Sequence, residues 1–250
     1  MKLSDEDKNR IEHWAEMLQE SILENPNLCD LKDPLGKVSQ IDPEIILIRF
    51  PGNASVSGFS YNIGSNKCIY INSAITLGRQ YCTFWHEIYH DINDQREMKE
   101  KTIADYEEVE EEEAKYFSYC MVLPQNDLKN QIVHLCKGLN EITIEDLIKL
   151  QYAMRVSMQA LLYRITELYE NDILIRKFMH YTFPNKQEEF KEKIKLCGYS
   201  LDLVEPTNDF CLPQSFFVNV CRNIESGKLS CEKAEELMNL LSTKEAKWLW

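Results

Sequence analysis

Leu77-Gly78-Arg79-Gln80-Tyr81-Cys82-Thr83-Phe84-Trp85-His86-Glu87-Ile88-Tyr89-His90-Asp91-Ile92 is the most strongly patterned stretch of the chain. Its apolar positions Leu77, Tyr81, Phe84, Trp85, Ile88 and Ile92 recur at three- and four-residue steps, the period of a largely buried helix. Within it lies His86-Glu87-Ile88-Tyr89-His90, an HExxH pentapeptide. Four helical residues turn the chain by about 400°, so the two imidazoles point the same way and can both reach one zinc ion. Glu87 is rotated by about 100° from His86, close to such an ion without being forced to bind it. It is therefore the candidate to take a proton from a metal-bound water. The bland alternative is two histidines on a helix surface. A chance motif would rarely fall in a buried-pattern helix, after a strand and before a carboxylate-rich helix.

Upstream, Ile45–Ile48, Ser55–Phe59 and Cys68–Ile71 are short β-type runs, separated by Pro51-Gly52-Asn53 and by the Asn62–Asn66 turn chemistry. They predict a small sheet of three strands. Before them, Ser4 with Asp7, followed by Ile11, Trp14, Leu18 and Ile22, predicts an amphipathic helix over 5–24, ended by Asn25-Pro26-Asn27. Downstream, a helix over 107–122 ends at Leu123-Pro124, and helical chain continues to 170 with breaks at Gly138 and Arg155–Ser157. Pro184, Gly198, Pro206 and Pro213 divide the remainder, which closes with a helix near 230–241. The fold class is thus α+β: a small sheet, the HExxH helix and a glutamate-rich helix in a zincin-like core over 1–124, a helical segment over 125–170, and a C-terminal region over 171–250.

Catalytic zinc takes three protein ligands and leaves one position for water. The extended HExxHxxGxxH form is excluded, because Asp91, Ile92, Asn93, Asp94, Gln95 and Arg96 follow His90. Glu107, Glu108, Glu110, Glu111, Glu112 and Glu113 supply carboxylates on the next helix. Most of such a run is a solvated face, but one inward carboxylate would be neutralised by the metal. His13, His134 and His180 are isolated and read as surface or satisfied histidines, Cys82 and Cys120 as buried ones. Tyr89, Tyr106, Tyr116 and Tyr119 read as core, with an oxyanion donor among them the sharper alternative.

Composition bounds the function. In 250 residues, 41 acidic against 28 basic side chains give a net charge of −13. That surface repels a polyanion, and no Lys/Arg-rich block offsets it. Apolar residues make up 44% of the chain, enough for a real core. Nine cysteines without a CxxC pair point to a reducing cytoplasm rather than a disulfide scaffold. There is no signal-peptide-like start, and no window long and apolar enough to span a bilayer.

On these residues the chain resembles the ImmA/IrrE family of metallo-endopeptidases, over about Asp42 to Ser242. The resemblance lies in Ile69-Tyr70-Ile71-Asn72-Ser73 before the HExxH helix, and in Glu111-Glu112-Glu113-Ala114-Lys115-Tyr116-Phe117-Ser118 closing with Met121-Val122-Leu123-Pro124. In the family that strand can form the edge on which a peptide lies. In the family the first glutamate of the second segment is the third zinc ligand, so the resemblance implies Glu111 in that role. The chain departs from the family in two places: Ile88-Tyr89 replaces a small Leu-Gly pair, and Lys115 replaces an Asp or Asn that supports the zinc histidines. The latter leaves Glu110, Glu112 and Glu113 as alternative ligands.

The segment Glu141 to Leu168 resembles the helix-turn-helix-like unit that follows the family's protease core. Between 139 and 170 it carries Lys149, Arg155 and Arg164 against Glu141, Glu145, Asp146, Glu167 and Glu170, which favours packing or protein docking over reading DNA. The resemblance implies a zinc endopeptidase whose substrate is a helix-turn-helix repressor, cut to derepress stress, phage or mobile-element genes. The alternative is a non-catalytic, antitoxin-like regulator that binds a repressor or toxin through the same fold, and a third reading is a transcription factor contacting DNA through 143–168.

Overall fold

A computed structural model describes residues 3–24, 33–36, 45–53, 55–63, 66–93, 103–136, 141–170, 172–212 and 214–242. Helix α1 (Asp5–Glu24) starts where Ser4 Oγ accepts from the Asp7 N–H at 3.1 Å. Its buried face is Ile11, Ala15, Gln19 and Ile22. Gln19 donates to the Cys120 carbonyl at 2.9 Å and so ties α1 to α3, described below.

The sheet has three strands, β1 (Ile45–Phe50), β2 (Gly58–Ile63) and β3 (Asn66–Asn72), in the order β1-β3-β2. β1 runs parallel to β3 and β2 antiparallel. Two expectations change here. The strand expected over Ser55–Phe59 begins only at Gly58, because the Asn72 side chain ties the preceding residues into a turn. It accepts from the Gly52 N–H at 2.9 Å and donates to the Asn53 and Val56 carbonyls at 2.8 and 2.7 Å. The strand before the HExxH helix, expected at an edge, is central. Cys68, Ile69, Tyr70 and Ile71 are all buried, as suits a strand covered on both faces. The edge beside it is β2.

Helices α2 (Leu77–Asn93) and α3 (Ile103–Val122) pack side by side, and α2 lies against β2 and β3. α3 begins four residues before the expected start. Tyr81, Phe84, Trp85, Ile88 and Tyr89 from α2 meet Ala114, Phe117 and Met121 from α3 in one core. Gly58 lets β2 approach α2, since a Cβ there would stand 2.5 Å from the Thr83 methyl and 2.7 Å from the Tyr70 carbonyl.

Next come α4 (Gln125–Leu135), α5 (Ile144–Met154) and α6 (Met158–Tyr169). The expected break at Gly138 lies outside the described residues. The other falls where Arg155 ends α5 in the left-handed region at φ 55° and Ser157 caps α6. α6 turns Met158, Ala160, Leu161, Leu162 and Ile165 inward, with Arg164 only 2% exposed. That guanidinium donates to Glu12 Oε1 at 2.9 Å and to the Tyr116 hydroxyl at 3.1 Å. Helix α6 is therefore bolted onto α1 and α3.

Helices α7 (Ile173–Phe178), α8 (Gln187–Leu196), α9 (Gln214–Glu225) and α10 (Cys231–Ser242) are the last helices among the described residues. The segment after α8 returns to the start of α2, where the Leu77 and Gly78 N–H groups donate to the Glu205 and Leu203 carbonyls at 3.2 and 3.0 Å. It thereby satisfies donors that a helix start leaves unpaired. Farther on, Cys211 pairs with Arg49 along the outer side of β1. Among the described residues no helix is long and apolar enough to cross a membrane. The eight described cysteines are free, and Cys29 lies outside the described residues.

Candidate metal centre

His86 and His90 sit one turn apart on the face of α2 that opens into a cleft, with ring centroids 4.9 Å apart. Their Nε2 atoms are 3.2 Å from each other. Glu111 reaches them from α3: Oε2 is 3.2 Å from His86 Nε2 and Oε1 is 3.3 Å from His90 Nε2. These three donors form a group that could hold a metal ion. The Glu111 side chain is 62% exposed, so the group faces the solvent-filled cleft rather than the core.

The other glutamates of the run go elsewhere, because successive helical residues rotate by about 100°. Glu110 Oε1 lies 3.0 Å from His90 Nδ1, on the far side of that ring. Accepting from Nδ1–H there holds a proton on that nitrogen and turns Nε2 toward Glu111 and the cleft, where it can bind a metal once its own proton is lost. Glu112 pairs with Lys115 at 3.5 Å. Glu113 is buried on the opposite side of α3, where it accepts from the Tyr89 hydroxyl at 2.6 Å and from the Arg10 guanidinium. The Glu107 side chain is outside the described residues. Tyr89, one departure from the family pattern, is thus a fully buried strut between α2, α3 and α1. Lys115, the other, lies over the Tyr163 ring.

Glu87 is 6% exposed beside this group. Burial pushes its carboxyl up, opposed by the charges of His86 and His90 and by a hydrogen bond from Ser60 on β2. In the metal-free protein His90 carries the opposite balance: burial lowers its pKa, but the bonds to Glu111 and Glu110 outweigh that and raise it to about 9. Glu111 is held well below the usual carboxylate range by His86 and His90, against a burial penalty. A carboxylate kept charged against two imidazoles is a site that asks for a cation.

The cleft has a volume of about 370 Å³, and Ser57, Gly58, Arg79, Thr83 and Lys115 line it with the residues above. Cys82 lies along it too, its thiol pushed up to about 12 by burial. His13 and His134 are exposed, and His180 rests against Tyr181. Tyr89 and Tyr116 are core, Tyr119 lines the cleft, and the Tyr106 side chain is outside the described residues. Ser60, Arg79 and the turn at Ser157 were not among the expected site residues. Arg79 could have been found from its seven-residue spacing to His86, whereas Ser60 reaches Glu87 only through the packing of β2 on α2.

No curated protein matches the chain. The family model of the IrrE N-terminal-like domain, peptidase family M78, matches residues 42–166, from the start of the sheet to within α6. That match spans half of the 250 residues and holds both the HExxH helix and the glutamate helix, so the chain belongs to the M78 metallopeptidase family with an IrrE N-terminal-like domain.

Proposed function

We propose that this protein is a zinc-dependent endopeptidase in which His86, His90 and Glu111 hold the ion and Glu87 is the general base. The observation that carries it is the donor triangle, with edges of 3.2, 3.2 and 3.3 Å. Ligands at the usual zinc distance of about 2.0–2.1 Å in tetrahedral array stand roughly 3.3 Å apart. Two imidazoles and one carboxylate, open to a cleft, are a donor set of catalytic zinc. Zinc held there supplies Lewis acidity toward the scissile carbonyl and activates water near neutral pH. Glu87 takes the proton from that attacking water and passes it to the leaving amine. Its burial favours this, because a raised carboxyl pKa brings proton acceptance and release closer in energy. Ser60 steadies the carboxylate from β2. The free edge of β2 offers backbone groups to an extended substrate segment.

The substrate proposed is a helix-turn-helix repressor, a reading that rests on the family resemblance; such a partner is a basic protein, which the net charge of −13 attracts. Direct DNA contact through α6 is disfavoured, since Arg164 is buried against Glu12. The non-catalytic reading drew its weight from Tyr89 and Lys115, and neither side chain intrudes on the donor triangle.

The test is incubation of zinc-loaded protein with a helix-turn-helix repressor from its gene neighbourhood. One pair of fragments is expected, lost on chelation and in Glu87→Gln protein that still binds zinc. A repressor that is bound yet stays intact, equally with wild type and Glu87→Gln, decides for association instead.

A further inference from the structure

Arg79 precedes His86 by seven residues on α2. Seven helical residues make about 700° and rise about 10.5 Å, so Arg79 stands two turns away on the metal-facing side. It lines two adjoining hollows. One is the cleft over His86, Glu87 and Glu111; the other, about 150 Å³, continues past the α5–α6 turn to Tyr181, Lys191 and Leu203. Arg79, Ser157 and Gln159 border both, so one groove leads from the donor triangle into the C-terminal region. Gly78 makes the junction possible: a Cβ there would stand 2.7 Å from the Ser157 backbone nitrogen, so only glycine lets the turn rest on α2.

The cations of this groove are not equivalent. Lys115 is spent on Glu112 at 3.5 Å, and Lys191 on Glu205 and Glu188 at 3.2 and 3.4 Å. The Arg79 guanidinium donates to the Ser57 hydroxyl at 3.0 Å, and none of the described ion pairs engages it. Arg79 is exposed in the cleft, so its guanidinium is open to a ligand. Its planar fork is suited to grip a carboxylate through two parallel hydrogen bonds.

We propose that Arg79 is a specificity-determining residue that binds an Asp or Glu side chain of the substrate. An extended peptide advances about 3.3 Å per residue, which places that acidic residue about three positions from the scissile bond. The proposal rests on the zinc-peptidase reading and adds the substrate class to it.

Two series of peptides anchored on zinc by a hydroxamate test it, one with the hydroxamate at the C-terminal end and one at the N-terminal end. Each carries Asp, Asn or Lys three residues from the anchor. With zinc-loaded protein at low salt, Asp is expected to bind about tenfold more tightly than Asn in one series, fading as salt rises. Arg79→Ala removes the preference, Arg79→Lys keeps part of it and Arg79→Glu turns it toward Lys. Equal binding of Asp, Asn and Lys in both series overturns the Arg79 subsite and leaves the zinc reading standing. So does a preference for Asp that survives in Arg79→Ala. Failure of every hydroxamate to bind zinc-loaded protein sinks the zinc reading and this proposal with it.

Discussion

Replacing Glu110 with alanine is expected to weaken zinc binding although Glu110 is not one of the proposed ligands. Glu110 Oε1 is 3.0 Å from His90 Nδ1, and both side chains are only 17% exposed. Water therefore cannot freely replace the carboxylate, and the ring loses both the partner that holds its orientation and the one that keeps the proton on Nδ1. Partners of this kind are worth about 10- to 100-fold in metal affinity, or about 1.4–2.8 kcal/mol. Glu110→Gln separates charge from geometry, because the amide oxygen can still accept from Nδ1–H; a smaller loss, about three- to tenfold, is expected. Lys115→Ala is the control, since Lys115 is engaged with Glu112 and the Tyr163 ring rather than with a histidine. Its zinc affinity should match wild type. Competition of metal-free protein against a chromophoric chelator gives all four affinities. If Glu110→Ala binds zinc as wild type does while Lys115→Ala is weakened, the support of His90 by Glu110 is refuted.

Three further outcomes follow from the same geometry. Tyr89→Phe deletes the 2.6 Å bond to buried Glu113 and should cost about 1.5–3 kcal/mol in urea unfolding, with zinc affinity unchanged; an unchanged midpoint contradicts the strut role. Arg164→Met leaves Glu12 and the Tyr116 hydroxyl without their shared donor, and a loss of about 2–3 kcal/mol is expected, at the lower end for a buried pair because Glu12 is a quarter exposed. Zinc uptake should release a proton. His90, raised to about 9 in the metal-free protein, is protonated at neutral pH and must be neutral to bind metal, so apparent affinity rises about tenfold per pH unit below about 9 and flattens above it. Calorimetry in buffers of different ionisation enthalpy measures that proton, and its absence would contradict the linkage.

Helical periodicity alone located α1, α2 and the α5–α6 break, because apolar spacing, capping residues and left-handed turn positions act within a few residues of one another. The same locality made His86, Glu87 and His90 legible as one constellation. The run from Glu110 to Glu113 was not, apart from the family resemblance that pointed to Glu111. Its members differ only in phase, and phase acquires meaning when Ala114, Phe117 and Met121 seat α3 against α2. That packing sends Glu110 behind His90, Glu111 to both Nε2 atoms, Glu112 to Lys115 and Glu113 into the interior. The place of β2 was misjudged for a related reason, since Asn72 holds the turn before it from the far end of another strand.

What the sequence determined by itself is the α+β class, the HExxH helix and the two histidines with their glutamate, all encoded by short-range geometry. The tertiary structure decided where each neighbouring glutamate of the run goes, that Ser60 reaches Glu87, and that the return of residues 203–205 to the start of α2 extends the cleft past Arg79. Those contacts join residues far apart in the chain, and only the packing of whole elements brings them within bonding distance.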